Sequence, residues 1–195
     1  MNGSLGGKGT ALVRLVEAGF SVPKFFVVPA SAVVDHEEIA DHAKKLGAKK
    51  FAVRSSAMIE DGKKHSFAGQ FLTLLDVMPK DVVKAIKKVR ASGPDMAVIV
   101  QEMIHGDESG VAFTANPVTG DRDEMVIESV KGLGEKLVSG KVTPKTEIIS
   151  KRGRHTGIEK LVLEIEKHFG FPVDVEWTQI GKKVYILQSR PITTL

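Results

Sequence analysis

Apolar residues recur with the spacing of amphipathic helices in four segments of the chain. In the first segment, apolar positions 11, 12, 15 and 16 share one helical face, and a glycine follows at position 19. Near the middle of the chain, Val82, Ile86 and Val89 share another such face, and a Gly-Pro pair at 93–94 stops that helix. The spacing predicts helices over residues 8–18, 35–46, 79–91 and 157–169.

Shorter apolar or alternating runs, bounded by glycine, proline and polar residues, indicate β-strands. They cover residues 25–28, 52–53, 71–77, 96–103, 110–114, 125–129, 173–178 and 184–190, and the glycine-punctuated segment 132–140 is expected to be half loop. The irregular order of helices and strands favours an α+β fold over a strict strand–helix alternation. An apolar strand turns polar at Gln101, which predicts a boundary there between lobes over 1–100 and 101–195.

The last two predicted strands carry polar side chains at alternate positions. Residues two apart in a strand share a face, so Asp174 lies beside Glu176, and Gln188 beside Arg190. With a turn centred on Lys182, Glu176 sits opposite Gln188 and Asp174 sits opposite Arg190. The other face is then expected to be a packed one that carries Val173, Val175, Trp177, Tyr185 and Leu187.

Two interpretations of this hairpin stay open from its residues alone. Oxygen donors on adjacent strands are the ligands that Mg²⁺ prefers, with waters and substrate phosphates as its other ligands. The alternative is a solvated face whose cross-strand salt bridge contributes little energy.

A glycine-rich segment, Gly6-Gly7-Lys8-Gly9, opens the first predicted helix. Glycine allows the backbone to approach closely, a helix N-terminus offers free N–H donors, and Lys8 adds a positive charge, which together suit a phosphate group. The segment is not a Walker A loop, because Asn2 stands where the first glycine is required and Gly9 where Ser or Thr is required. A tight turn without a ligand is the alternative.

Two further segments have residues suited to a nucleotide. Arg54 leaves a short apolar strand with two serines behind it, which suits an oxyanion, and the small residues around Gly69 could form a loop whose amides close over phosphate. The apolar run 97–100 turns polar at 101–103, where backbone could pair with a purine edge while a Met or Val side chain packs on its face. The alternatives are an ordinary surface turn and an ordinary buried strand.

The composition narrows the class of partner. Of the 195 residues, 42 % are hydrophobic and 27 % charged, and no apolar run approaches the roughly 20 residues of a membrane-spanning helix. The absence of cysteine excludes disulfides and thiolate metal sites and is compatible with the cytoplasmic location that we expect. The net charge is +4, but aromatic residues make up only 6 % and do not follow the lysines, so polyanionic small molecules are favoured over nucleic acid.

Several segments, taken in order, carry the motifs of a known family. They are RSSA at 54–57, SFAGQ at 66–70, SGVAFTANPVTG at 109–120, GLGEKLVSG at 132–140, and DVEW at 174–177 followed by LQSRPI at 187–192. The combination resembles the nucleotide-binding domain of the phosphoenolpyruvate synthase and pyruvate phosphate dikinase family. The resemblance implies an ATP-grasp fold, in which two α+β lobes enclose ATP and Mg²⁺.

The resemblance also implies roles for residues in these segments. The implied phosphate-binding and catalytic residues are Lys8, Arg54 and Arg190, and the phosphate-covering loop includes Ser66, Gly69 and Gln70. The segment that reads adenine comprises Gln101, Glu102 and Met103. On the hairpin, Glu176 and Gln188 are the implied Mg²⁺ ligands and Asp174 is their acidic neighbour.

In that family, phosphate passes from Mg-ATP to a histidine on a swivelling domain and then to pyruvate on a barrel domain. This sequence contains neither domain and is shorter than the family's pattern between residues 30 and 51, 76 and 96, and 149 and 158. We therefore expect an ATP-binding phosphotransferase module whose partners are a separate phosphohistidine domain and a pyruvate- or phosphoenolpyruvate-binding barrel. A non-catalytic ATP-binding or regulatory module and a split piece of a larger dikinase are the alternatives.

Overall fold

The computed structural model describes residues 5–57, 72–134 and 142–195. The helices in them are α1 (Gly6–Glu17), α2 (His36–Leu46), α3 (Val82–Arg90) and α4 (Gly157–Phe169). The strands are β1 (Phe25–Val28), β2 (Phe51–Ser56), β3 (Thr73–Val77), β4 (Ala97–Glu102), β5 (Glu108–Phe113), β6 (Glu124–Lys131), β7 (Lys145–Ser150), β8 (Val173–Ile180) and β9 (Lys183–Pro191). The predicted phosphate-covering loop, with Ser66, Gly69 and Gln70, lies outside the described residues, as do residues 135–140 of the glycine-punctuated segment.

The chain divides into two compact units, each built on its own antiparallel sheet. The first unit takes residues up to Val13 together with Pro23–Met103, and the second takes Arg14–Val22 together with Ile104–Leu195. The functions assigned to the two lobes from the sequence stay predictions. In the described part of the chain, no helix is both long and apolar enough to span a membrane.

The first unit is a four-stranded sheet in the order β1-β4-β2-β3. Successive side chains of a strand point to opposite faces. One face carries Val53, Val98 and Val100, which are fully buried in one apolar cluster with Ile39 of α2 and Ile86 of α3. The opposite face carries the alternate residues of β2 and β4, and these include two of the predicted site residues.

The second unit is a five-stranded sheet in the order β7-β6-β5-β8-β9, and α4 contacts its strand β8. Gly110 of β5 pairs with Trp177 of β8. A methyl group at Gly110 would lie 2.8 Å from Cζ2 of the Trp177 ring, so only glycine lets the indole lie across β5. Trp177 is 3 % exposed and belongs to the packed face of the hairpin.

Most predicted elements are present, with three differences. The predicted helix 79–91 begins with a 3-10 turn over Pro79–Asp81, and Asp35 is the N-cap of α2, where its carboxylate accepts a bond from Glu38 N. Strand β7 was not predicted, because nearly all of its side chains are exposed and its sequence lacks a strand-like alternation. Its position comes from backbone pairing with β6 at the sheet edge.

Arg90 anchors the connection between β1 and α2. Its Nη1 donates to Ala32 O at 2.7 Å and its Nη2 donates to Pro29 O at 2.8 Å. Burial lowers the pKa of Arg90 from its usual value, yet an arginine stays charged at neutral pH. Two charge-assisted bonds from one side chain thus fix a loop that has no secondary structure of its own.

We expect Arg90→Ala to lower the free energy of unfolding by about 1.5–3 kcal/mol, because two partly buried carbonyls lose charged donors. Lys88→Ala, at an exposed position two residues earlier in α3, is the control and should change stability by less than about 0.5 kcal/mol. Urea unfolding of both variants measures the difference. Equal stability of the two variants would contradict the anchoring role.

Candidate functional site

The β8–β9 hairpin brings together the four polar residues that the sequence placed on one face. Glu176 pairs with Gln188, and Asp174 pairs with Arg190, so the predicted pairs are confirmed. Arg190 Nε and Nη2 each lie 2.7 Å from Asp174 Oδ2. The hairpin therefore holds one ion pair and one carboxylate–amide pair side by side.

A bulge in β9 produces this register. The turn falls at 181–182 rather than being centred on Lys182, and from there Trp177 pairs with Ile186. One additional residue in β9, Leu187, then shifts the pairing to that of Glu176 with Gln188. The core-face prediction is wrong for Tyr185 and Leu187, which are partly exposed, because the bulge makes Ile186 the fully buried residue instead.

Two of the four polar residues on this face are shielded from solvent. Asp174 is 5 % exposed and Gln188 is 6 % exposed, whereas the Arg190 side chain is 54 % exposed. Buried polar groups of this kind are costly unless they are paired. The alternative of a solvated surface face therefore does not describe Asp174 and Gln188, whereas Glu176 is partly exposed.

Glu128 of β6 is a further acidic residue on this face that the sequence did not single out. It pairs with Val111 of β5, and Val111 pairs in turn with Glu176. Directly paired residues share a sheet face, so Glu128 and Glu176 lie on the same face two strands apart. The strand over 125–129 was predicted, but its neighbours in the sheet were not, so the sequence had no signal for this relation.

In the first unit, the glycine segment docks α1 on the end of β2. Gly7 N–H donates to Ala57 O and Gly9 N–H donates to Ser56 Oγ, each at 3.0 Å. The Ser56 hydroxyl donates in turn to Leu5 O at 2.8 Å. The expectation that these amides are free for phosphate is wrong for Gly7 and Gly9, because both are already used to hold the helix.

Gly6 is the residue that allows this close approach. Its φ is +70°, which side-chain-bearing residues rarely adopt, and a Cβ there would overlap the carbonyl oxygen and the hydroxyl of Ser56. Lys8 lies between Gly7 and Gly9, the two glycines whose amides are bonded to the end of β2. Lys8 is thereby held at the end of the strand that carries Arg54.

The two serines after Arg54 are both buried, and Ser56 has a structural role. Ser56 is fully buried and bonded to α1, and Ser55 is 1 % exposed on the face that α2 and α3 cover. Arg54 lies on the opposite face, where it pairs across the ladder with Ile99 of β4. Of this motif, only the arginine therefore stays a candidate for binding an oxyanion.

Gln101 shares its sheet face with Arg54. It pairs with Ala52, two residues before Arg54 in β2, and is 1 % exposed. Its Nε2 has no hydrogen-bond partner among the residues that the structure describes. Because a buried unpaired amide is costly, Gln101 is a candidate for contact with a ligand.

The backbone that follows Gln101 is occupied by the sheet. Glu102 N–H donates to Lys24 O at 2.8 Å, and Met103 N–H donates to Lys50 O at 3.0 Å. These two amides are therefore not available to a purine edge. Any base contact from Gln101–Met103 would come from side chains or carbonyl oxygens.

The sequence of this chain matches a known family over most of its length. Residues 35–94, 93–162 and 155–195 match the family described as pyruvate phosphate dikinase, AMP/ATP-binding domain. The chain belongs to this family. The resemblance read from the RSSA, SFAGQ and LQSRPI motifs is thereby confirmed, while Lys8 precedes the matched residues.

Two relatives show how much of a longer protein this chain matches. A probable phosphoenolpyruvate synthase of Pyrococcus horikoshii is 37 % identical over 212 aligned residues, which cover 74 % of this chain and 26 % of that protein. The prodigiosin synthesizing transferase PigC of Serratia marcescens is 31 % identical over 97 % of this chain and 32 % of PigC. The chain thus spans a third or less of these relatives. The first alignment is longer than the whole chain, so that relative has additional segments between the matched parts.

Solved structures show the same fold. The RimK domain protein ATP-grasp of Sphaerobacter thermophilus superimposes with a TM-score of 0.58 over 97 % of this chain and 60 % of that chain, at 17 % identity. An identity this low shows the fold alone. The predicted α+β, ATP-grasp fold is confirmed.

We expect Gly6→Ala to lower the free energy of unfolding by about 2–4 kcal/mol, since it adds overlap with Ser56 to the roughly 1–2 kcal/mol cost of a left-handed alanine. Gly19→Ala is the matched control, because Gly19 has φ +83° but nothing within 4 Å of an added Cβ. Thermal and urea unfolding compare the two variants. Equal losses would show that backbone conformation alone, and not the docking of α1, requires glycine at position 6.

Proposed function

We propose that this chain holds ATP with Mg²⁺ and transfers a phosphoryl group from it to a histidine on a separate domain or protein. The observation that carries the proposal is the polar face of the hairpin, where Glu176 opposes Gln188 and the buried Asp174 is paired with Arg190. Membership of an AMP/ATP-binding domain family supports the nucleotide.

Glu176 and Gln188 are the proposed protein ligands of Mg²⁺. Their side chains belong to directly paired residues on adjacent strands. In residues 5–57, 72–134 and 142–195, no group of three His, Asp or Glu side chains is arranged to hold a metal. A site of one carboxylate and one amide fits Mg²⁺, which commonly takes one or two protein ligands and completes its shell with water and substrate phosphates. Asp174 would be their acidic neighbour and would orient Arg190.

Lys8 and Arg54 are the proposed cations for the phosphates in the first unit. The end of β2 holds the start of α1 through Ser56 and Ala57, so the backbone of Lys8 is held at the strand that carries Arg54. Lysine serves as a point charge, and arginine offers a planar fork of donors to phosphate oxygens. The loop with Ser66, Gly69 and Gln70 remains part of this proposal as the segment that covers the phosphates.

Gln101 is the proposed hydrogen-bond donor to the nucleotide base. Its buried Nε2 has no partner in residues 5–57, 72–134 and 142–195, and an acceptor on the ligand would satisfy it. Glu102 and Met103 use their N–H groups within the sheet, so we assign packing against the base to the Met103 side chain and further polar contact to carbonyl oxygens.

The chemistry would consist of positioning and charge neutralisation. Phosphoryl transfer requires little covalent chemistry from the protein. Cations that neutralise the negative charge of the transferring group therefore supply most of the rate acceleration. Lys8, Arg54 and Arg190 are the proposed catalytic residues, and a bound Mg²⁺ would add charge neutralisation when present. A phosphohistidine-domain protein and a pyruvate- or phosphoenolpyruvate-binding barrel are the proposed partners, in a cytoplasmic setting.

We expect Glu176→Ala and Gln188→Ala each to weaken Mg-ATP binding by about tenfold or more, equivalent to about 1.4 kcal/mol. ATP binding without Mg²⁺ should change much less, because the lost oxygen would bind the metal rather than the nucleotide. Glu147→Ala in β7, an exposed glutamate of the same sheet, is the control. Calorimetry measures the ATP affinity with and without Mg²⁺. An equal loss of affinity in the two conditions would refute the metal-ligand assignment.

The product of ATP distinguishes a phosphotransferase from a non-catalytic module. With Mg-ATP and candidate phosphohistidine domains, we expect AMP and a phosphorylated partner. We expect Arg54→Met to lower this turnover by about a hundredfold, since it removes one charge that faces the transferring group. Tight Mg-ATP binding with unchanged nucleotide over long incubation would instead favour the binding or regulatory module, and ADP as product would indicate a simple kinase.

A further inference from the structure

Lys50, Asp76 and Met103 form a closed set of contacts at one end of the four-stranded sheet. Met103 N–H donates to Lys50 O at 3.0 Å, and Asp76 N–H donates to Met103 Sδ at 3.2 Å. Lys50 Nζ in turn donates to Asp76 Oδ1 at 2.6 Å. The backbone and the thioether of Met103 are thus each held by one of two residues that also hold each other.

Asp76 has a left-handed backbone conformation inside a strand. Its φ is +55°, in the left-handed region that residues with a side chain adopt infrequently. Phe51 pairs with Val77 whereas Val53 pairs with Leu74, so β3 contains one residue more than the facing part of β2. Asp76 therefore lies in a β-bulge, a feature that re-aims local groups and recurs beside functional sites.

Stability alone explains this arrangement poorly. The Lys50 and Asp76 side chains are 42 % and 45 % exposed, and an ion pair that open to water contributes little. A left-handed aspartate costs free energy relative to the ordinary strand conformation. The bulge does orient the Asp76 N–H group, which it turns toward the sulfur of Met103.

We propose that Asp76 and Lys50 are positioning residues that fix the Met103 thioether for packing against the base of the nucleotide. The inference rests on the proposed function, which assigns Met103 to the base. A methionine side chain has three rotatable bonds and is otherwise adaptable. Fixing it before binding reduces the entropy lost when the base packs on it, so the affinity gain is specific to nucleotides that carry a base.

The first test compares ATP with inorganic tripolyphosphate, which lacks the base. Lys50→Met removes the ion pair but keeps the carbonyl that holds Met103 N–H, and Asp76→Gly keeps the amide and tolerates positive φ but loses the carboxylate. Each variant should weaken ATP binding by about threefold to tenfold and leave tripolyphosphate binding unchanged. The double variant should lose no more than either single one, because both act through one contact.

Two controls separate positioning from general effects on the fold. Asp95 is also a non-glycine residue with positive φ, at +46°, and Asp95→Gly should leave both affinities unchanged. Lys50→Arg retains a charged donor and should restore ATP affinity. Equal loss for ATP and tripolyphosphate, or no loss for either in the Lys50 and Asp76 variants, would overturn the inference.

A second measurement tests the contacts without any nucleotide. The chain has six methionines, and methyl NMR with ¹³C-labelled methionine, assigned for Met103 by Met103→Leu, follows this side chain directly. Lys50→Leu, which adds no labelled methyl group, and Asp76→Gly should shift or broaden the Met103 methyl signal, and Asp95→Gly should not. If the wild-type chain binds ATP and the Met103 methyl signal is unchanged in the variants, the inference is overturned while the proposed function stands. If the wild-type chain binds no ATP, the proposed function fails together with the role assigned to the base, whatever the methyl signal shows.

Discussion

The side chains of the candidate site stand on β-strands, and the register of those strands decides which groups they meet. In an antiparallel ladder, a shift of one residue moves every side chain to the other face. The pairing of Glu176 with Gln188 therefore depends on the bulge at Leu187, because the turn at 181–182 would otherwise bring different residues together. The same pairing places Asp174 beside Arg190, and it keeps Trp177 and Ile186 on the packed face.

In the first unit, the side chains of β2 and β4 also alternate between two faces of the sheet. Residues of β2 and β4 that face α2 and α3 form the apolar cluster, and the alternate positions carry polar residues together with the buried apolar residues Ala52, Ala97 and Ile99. Arg54 and Gln101 occupy such alternate positions, two residues apart along the ladder. The same two strands therefore supply residues to the apolar cluster on one face and candidate site residues to the other.

Gly6 and Gly110 have structural roles, because a side chain at either position would overlap its surroundings. At Gly6 the absent side chain lets α1 approach Ser56, and at Gly110 it lets the Trp177 ring cross β5. Both positions bring a larger feature close to a strand: a helix in one case and an aromatic ring in the other. A glycine-rich segment at a helix start is for this reason an ambiguous sign of phosphate binding, as the occupied amides of Gly7 and Gly9 demonstrate.

The sequence by itself determined the family, the α+β class, most helices and strands, and the pairs across the hairpin, because these depend on local periodicity and on motifs that stay together along the chain. Tertiary structure alone decided which amides are already used, which serines are buried, and that β7 is a strand, because those facts depend on neighbours far away in sequence. Ser56 illustrates the limit, since its hydroxyl looked available beside Arg54 until Leu5 and Gly9, about fifty positions earlier, were found bonded to it. Gln101 is an example of what only the structure shows, because its amide is buried and its Nε2 has no hydrogen-bond partner among the described residues.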